Sequence, residues 1–289
     1  MTNKLYQWPD PIRLYPDQGT KSYRLKRFRF HLRSLLHYRN IKRFEQFVNQ
    51  QPTLASLLNT HPSFSYPLAH RFLDKRFSTK QRFDSICENL HFLPEKLTIL
   101  NLPQLWEKEI CFGEVIEDFE LYLCLNYHQA MEGYWALELR YRPTNQLIYL
   151  LTFGKVEHAL LIAVIQGPNF EGSKDLVKLL TKKCHGLRPA YLMVEPMKAL
   201  TNALGYTKLL GIPHKYQNKS RLVQSKRYVV DYDAIFSESA GVMKDYWELP
   251  VQFTMKDMES IPSNKRSMYR KRYAMLEQLQ MAMNQILQH

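Results

Sequence analysis

The feature that most restricts this chain is a change of hydrophobic period near residue 115. Before it, apolar residues recur at steps of three and four, the period of a helix face. After it come four short runs rich in aromatic and branched side chains, FELYLCLNY, GYWALELRY, QLIYLLTF and HALLIAVIQ, separated by polar or glycine-containing turns such as RPTNQ. Runs of that length joined by hairpin-sized connections predict antiparallel strands over residues 115 to 167. A chain that opens helical and then builds a meander must cover the sheet with helices to bury it.

The helical part begins with a basic amphipathic segment over residues 21 to 60. Leu25, Phe28, Leu32, Leu35 and Leu36 share one face, while Arg24, Arg27 and Arg39 fall mostly on others. At this spacing Phe28 and Phe30 are expected in the core. A helical hairpin is predicted from PSFSYPLAHRFLDKRF to STKQRFDSICENLHFLPEKL, with Ser78 or Thr79 capping its second helix. After Gln166 a helix over 175 to 184 ends at Gly186, and Pro189 opens the next, which closes at Gly205. A buried strand in YTKLLGIP, a short helix in DYDAIFSESAG, an extended YWELPVQF and a helix from about Asn264 to Leu287 complete the order. The predicted fold class is α+β. A helical N-terminal region at 1–112 packs on a mixed, largely antiparallel sheet within an α+β part at 113–289, as one integrated body closed by a long C-terminal helix.

Composition excludes several alternatives. The longest apolar run, Ala159 to Ile165, is far shorter than the roughly 20 residues that cross a bilayer. The opening MTNKLYQWPDPIRLYPD lacks the basic start and apolar stretch of a secretory signal, so a cytoplasmic protein is expected. Cys87, Cys111, Cys124 and Cys184 lie far apart without a CxxC pair, which reads as reduced thiols and no metal site. The net charge of +13 is concentrated. KSYRLKRFRFHLRSLLHYRNIKR, Lys21 to Arg43, contains no acid, and Lys265, Arg266, Arg270, Lys271 and Arg272 form a second cluster. Such patches attract nucleic acid, anionic lipid or acidic partners by the same long-range field. No nucleic-acid recognition signature accompanies them, which disfavours that partner and leaves an anionic surface, with a peripheral place at the inner membrane.

Five segments in order carry a resemblance: HPSFSYPLAHRFLDKRFSTKQRFDSICENLHFL, IAVIQGP, HGLRP, DYDAIFSESAG and KRSMYRKRYAMLEQL. From about residue 24 onward the chain resembles the VirK/YbjX family of Gram-negative bacterial proteins. Ala163 and Val164 stand where that family leads one to expect glycine. The resemblance implies a role in cell-envelope maintenance and virulence, including outer-membrane protein display and resistance to antimicrobial peptides, with an envelope-biogenesis protein as a further candidate partner. It supplies no catalytic residue.

The order of elements is also similar to acetyltransferases of the GNAT superfamily, where the turn after the fourth strand holds the pyrophosphate of an acyl-coenzyme A. That similarity implies acyl-coenzyme A as cofactor and Gln166, Gly167, Gly172, Ser173 and Lys174 as its cradle. The first amides of a helix lack internal partners and point at an anion placed before them. Pro168 removes one donor and Glu171 adds a negative charge, so the turn also reads as a plain connector. Arg188 is a candidate phosphate ligand or a cap on the preceding helix. Acyl transfer needs a base and an acid, for which Glu132, His158 and Tyr232 are the candidates. Each has a structural alternative: a turn residue, a partner within the sheet and a half-buried aromatic. A non-catalytic basic protein that binds the inner-membrane surface or an envelope partner is the competing function.

Overall fold

The computed structural model describes residues 5–17, 19, 22–218, 230–253 and 255–287. Lys21, the first cation of the basic run, lies outside the described residues. The chain opens with α1 (Pro11–Leu14), α2 (Arg24–Leu36), α3 (Tyr38–Asn49) and α4 (Pro52–Thr60). The hairpin expected next is half realised. Pro62–Ala69 is a 3-10 stretch rather than an α-helix, and Pro67 inside it lacks the N–H and clashes with the preceding turn of an α-helical ladder. α5 (Thr79–Ile99) follows, opened by a capping box in which Ser78 Oγ accepts from the Gln81 amide and Gln81 Oε1 accepts from the Ser78 amide.

The meander is β1 (Ile110–Ile116), β2 (Phe119–Leu125), β3 (Trp135–Tyr141), β4 (Gln146–Val156) and β5 (Ala159–Gln166), each antiparallel to the next. β1 was not anticipated and crosses the 112/113 boundary. β3 and β5 are buried on both faces, which their nearly unbroken apolar runs require. Then come α6 (Ser173–Lys183), α7 (Pro189–Leu192), α8 (Val194–Ala203), β6 (Leu209–Gly211), α9 (Tyr232–Glu238), β7 (Val242–Met243), β8 (Trp247–Leu249) and α10 (Ser263–Leu287). The eight strands form one sheet in the order β1-β2-β3-β4-β5-β6-β8-β7, with β5 and β6 parallel. α5 packs on β4, while α10 packs on α8 and β1, so helices drawn from both ends of the sequence close one core.

Close approaches fix the layers. A Cβ on Gly154 would stand 2.6 Å from Asn89 Oδ1 of α5, so the glycine lets the helix settle on the sheet. Asn89 in turn bonds both the N–H and C=O of Lys155, and its own carbonyl accepts from the Trp135 indole. The Phe236 ring sits where a Cβ of Gly211 would otherwise lie, seating α9 against β6.

One expectation about the core is half met: Phe30 is 1% exposed, but Phe28 is 63% exposed, and Leu25, Leu32, Leu35 and Leu36 on its face are between 48% and 74% exposed. α2 packs inward through Phe30 and Ser34 instead, with Trp8 stacked on Phe30 and its indole donating to Ser34 Oγ. Among the described residues no helix is long and apolar enough to cross a membrane.

Candidate functional site

β5 and β6 are paired only at Leu160–Leu209, Leu161–Leu210 and Ile162–Gly211. β5 then runs on to Gln166 without its neighbour. Just before the divergence Thr152 faces Val164 while Phe153 faces Ile162, so Ala163 is an extra residue in the ladder. A bulge of this kind bends its strand and sharpens the twist, which re-aims the end of β5 away from β6.

The gap opens into a cleft of about 850 Å³. Val164 to Asn169 form one wall, and Ser173, Lys174, Val177 and Lys178 of α6 form another. Tyr149, Val230 and Tyr232 complete it. Gly167 gives the Tyr149 ring room, since a Cβ there would meet the ring at 3.2 Å. Burial raises the Tyr149 phenol above its ordinary pKa.

Tyr232 is buried, and its hydroxyl donates to the main-chain carbonyl of Ile165 at 2.9 Å. Such a carbonyl, turned from β4 where β6 has diverged, needs a donor. α9 supplies it, because Phe236 seated on Gly211 places Tyr232 one turn earlier beside β5.

Gly172 is the N-cap of α6 in the left-handed region, φ +79, a conformation that costs other residues strain. No side chain caps this helix start. The Ser173 amide donates to Phe170 O and the Asp175 amide to Gly172 O, so two first-turn donors are spent inside the turn. Among the described residues the Lys174 amide has no backbone partner. Lys174 and Lys178, one turn apart, both reach the cleft. Lys178 also pairs with Asp175 at 3.2 Å, an exposed contact that a ligand anion could displace.

The sequence candidates are therefore only partly brought together. Gln166, Gly167, Ser173, Lys174 and Tyr232 line the cleft, and Gly172 ends its turn. His158 is exposed in the turn between β4 and β5, about 25 Å from Gln166 along the strand. Glu132 is buried in a 3-10 turn ahead of β3. Its neighbour Gly133 packs on the Phe153 carbonyl, level with Ile162, and Glu132 is not among the cleft residues. Arg188 is exposed at the start of α7, beyond the far end of α6, and about 16 Å of helix separates it from the turn. Tyr149 and Lys178 were missed. Lys178 was legible as the i+4 companion of Lys174, whereas Tyr149 needs the strand register.

A family described as "Protein of unknown function (DUF535)" matches residues 19–285. An uncharacterized protein of Haemophilus influenzae is 63% identical over 278 residues, covering 96% of this chain and 94% of its own length. A Mannheimia haemolytica protein named membrane protein LapB is 70% identical over 216 residues, 75% of this chain and 95% of that protein. The Escherichia coli uncharacterized protein YbjX is 26% identical over 272 residues, 88% of this chain and 81% of its own. No solved structure matches. Because the family match spans nearly the whole described fold and a relative this similar aligns almost end to end, the chain belongs to the DUF535 family, in keeping with its VirK/YbjX resemblance.

Proposed function

We propose that this protein serves the cell envelope as an acyltransferase of GNAT-like build, with an acyl-coenzyme A held in the cleft at the end of β5. The observation that carries the proposal is the divergence of β5 from β6 immediately before the turn at Gln166. The strand order, antiparallel strands followed by a parallel β5–β6 pair bridged by helices, is the one the acetyltransferase similarity implies. A strand edge freed of its neighbour can pair with an extended, amide-bearing ligand arm, here through its amides, since the Ile165 carbonyl is taken by Tyr232. The open Lys174 amide, with Lys174 and Lys178, would meet the ligand's phosphates. The envelope setting rests on the VirK/YbjX resemblance and on the name of the Mannheimia relative.

In such a transfer the nitrogen or oxygen of an amine or hydroxyl bonds to the thioester carbonyl carbon and gives up its proton to solvent, the carbon–sulfur bond breaks, and the leaving thiolate takes up a proton that solvent then returns to the donor. Tyr232 is the acid–base candidate that lines the cleft and would supply that proton. The distance of His158 from the cleft favours a second reading, a non-catalytic protein that binds its ligand there without turnover. Crystals grown with coenzyme A are the test. Density along Val164 to Lys174 supports the donor site, and an empty cleft at millimolar ligand rejects it.

A further inference from the structure

The apolar face of α2, Phe28 included, does not pack inward. With 3.6 residues per turn, Leu25, Phe28, Leu32, Leu35 and Leu36 fall within an arc of roughly 100° on the side opposite Phe30. All five are exposed. The next arc round the helix carries Arg29, Arg33 and Lys26, which open on a cavity of about 490 Å³ beside the helix. Tyr15, Tyr66 and His70 also line that cavity, and among the described residues no acid does. Arg33 donates to the Tyr66 hydroxyl at 2.9 Å, and Lys26 stands 4.5 Å from the centre of the Tyr23 ring. Both cations are thus held in place by neutral aromatics. Among the described residues no carboxylate pairs with Lys26, Arg29 or Arg33; Asp17 pairs with Arg27 on the inward flank. His70 is pushed down to about 4, first by burial and then by the nearby charges of Arg33 and Arg71.

We infer that α2 is a membrane-docking helix for an anionic bilayer. The leucine and phenylalanine stripe lies at the acyl boundary, and Lys26, Arg29 and Arg33 meet lipid phosphates in the adjoining cavity. An exposed apolar stripe beside a cationic flank is the arrangement of a helix that lies in the interface plane. Charge selects this occupant over the others. From residue 18 to residue 44 the chain has no acid, so a second copy docked through the same stripe would bring two cationic flanks together uncompensated. A nucleic acid would satisfy the cations and leave the leucines in water. An anionic leaflet satisfies both.

The test is sedimentation of the full chain with vesicles of phosphatidylcholine alone, or containing about a third phosphatidylglycerol, at low and high salt. Expected are binding to the anionic vesicles that weakens with salt and a loss of about tenfold in partitioning for K26Q/R29Q. L25S/F28S/L32S, which alters only exposed positions, should bind at least about tenfold more weakly at either salt while keeping its circular dichroism spectrum. Two results overturn the inference: equal binding to neutral vesicles, or a triple variant that binds like the unaltered chain. A third is a concentration-dependent dimer abolished by the triple variant without vesicle binding, which assigns the stripe to a second copy. Titration with inorganic phosphate completes the set. Tight phosphate binding in the absence of vesicle binding makes the cavity a free-anion site and rejects the membrane. None of these readouts involves coenzyme A, so the outcome is separable from that of the cleft.

Discussion

Tyr232 and Ile165, sixty-seven residues apart in sequence, are joined by a hydrogen bond in which the phenol donates to the strand carbonyl at 2.9 Å. The bond ties α9 to β5 where the strand has lost its neighbour, and it satisfies a buried acceptor.

Tyr232→Phe should therefore destabilise the fold by about 1 to 2 kcal/mol, since it keeps the ring and leaves the carbonyl without its donor. Urea unfolding of the two proteins measures it. An unchanged midpoint would mean that water or another donor replaces the phenol.

Gly154 faces Asn89 with no room between them. Gly154→Ala puts a methyl group 2.6 Å from Asn89 Oδ1 and 2.7 Å from Leu73 Cδ1, and should cost about 1 to 3 kcal/mol through overpacking. Asn89→Ala removes the Oδ1 part of the clash and leaves that with Leu73, so the double variant should be somewhat more stable than the sum of the two single losses predicts. Strict additivity in urea melts would show that α5 is not seated by this pair.

The sheet was legible because its strands have distinctive lengths and turns, and α10 because its pattern is long. β1 was not, since ICFGEVI contains Gly113 at positive φ and two register shifts that blur its alternation. For α2 the periodicity identified a stripe but not where it points. A helix in water normally buries its apolar face, and here Phe30, with Trp8 stacked on it, anchors the opposite side. At the cleft, the run from Gln166 to Lys174 could be read locally. That Tyr232 joins it while Arg188 does not depends on the β5–β6 divergence and on the length of α6, which no local pattern records.

His70 makes stability depend on pH. Burial, then Arg33 and Arg71, lower its pKa from the ordinary 6.5 to about 4. Between those values the unfolded chain binds more protons than the folded one, so this contribution is complete above 6.5 and is lost as pH falls toward 4. His37 and His61 are lowered too and act in the same direction. His70→Gln should flatten the fall in stability over that range by on the order of 1 kcal/mol, because the site is only partly shielded from solvent. Denaturation at a series of pH values checks this; parallel curves for the two proteins would remove His70 as a source.

The turn at the opening of α6 offers the most direct test of ligand binding. No atom lies within 4 Å of a Cβ built on Gly172, so a larger residue there meets no steric block, but at φ +79 it carries about 1 to 2 kcal/mol of backbone strain. Gly172→Val should relieve that strain by reshaping the turn, displacing the unpartnered Lys174 amide and weakening acyl-coenzyme A binding about tenfold or more. Lys174→Ala leaves the amide in place and removes an exposed charge, so its loss should be smaller and should shrink further at high salt. Isothermal titration of the three proteins at two ionic strengths measures both effects. If the unaltered chain takes up no coenzyme A or acyl-coenzyme A at millimolar ligand, the turn only connects β5 to α6. A weak Lys174→Ala variant beside an unaffected Gly172→Val would place the phosphates on side chains rather than on the helix start.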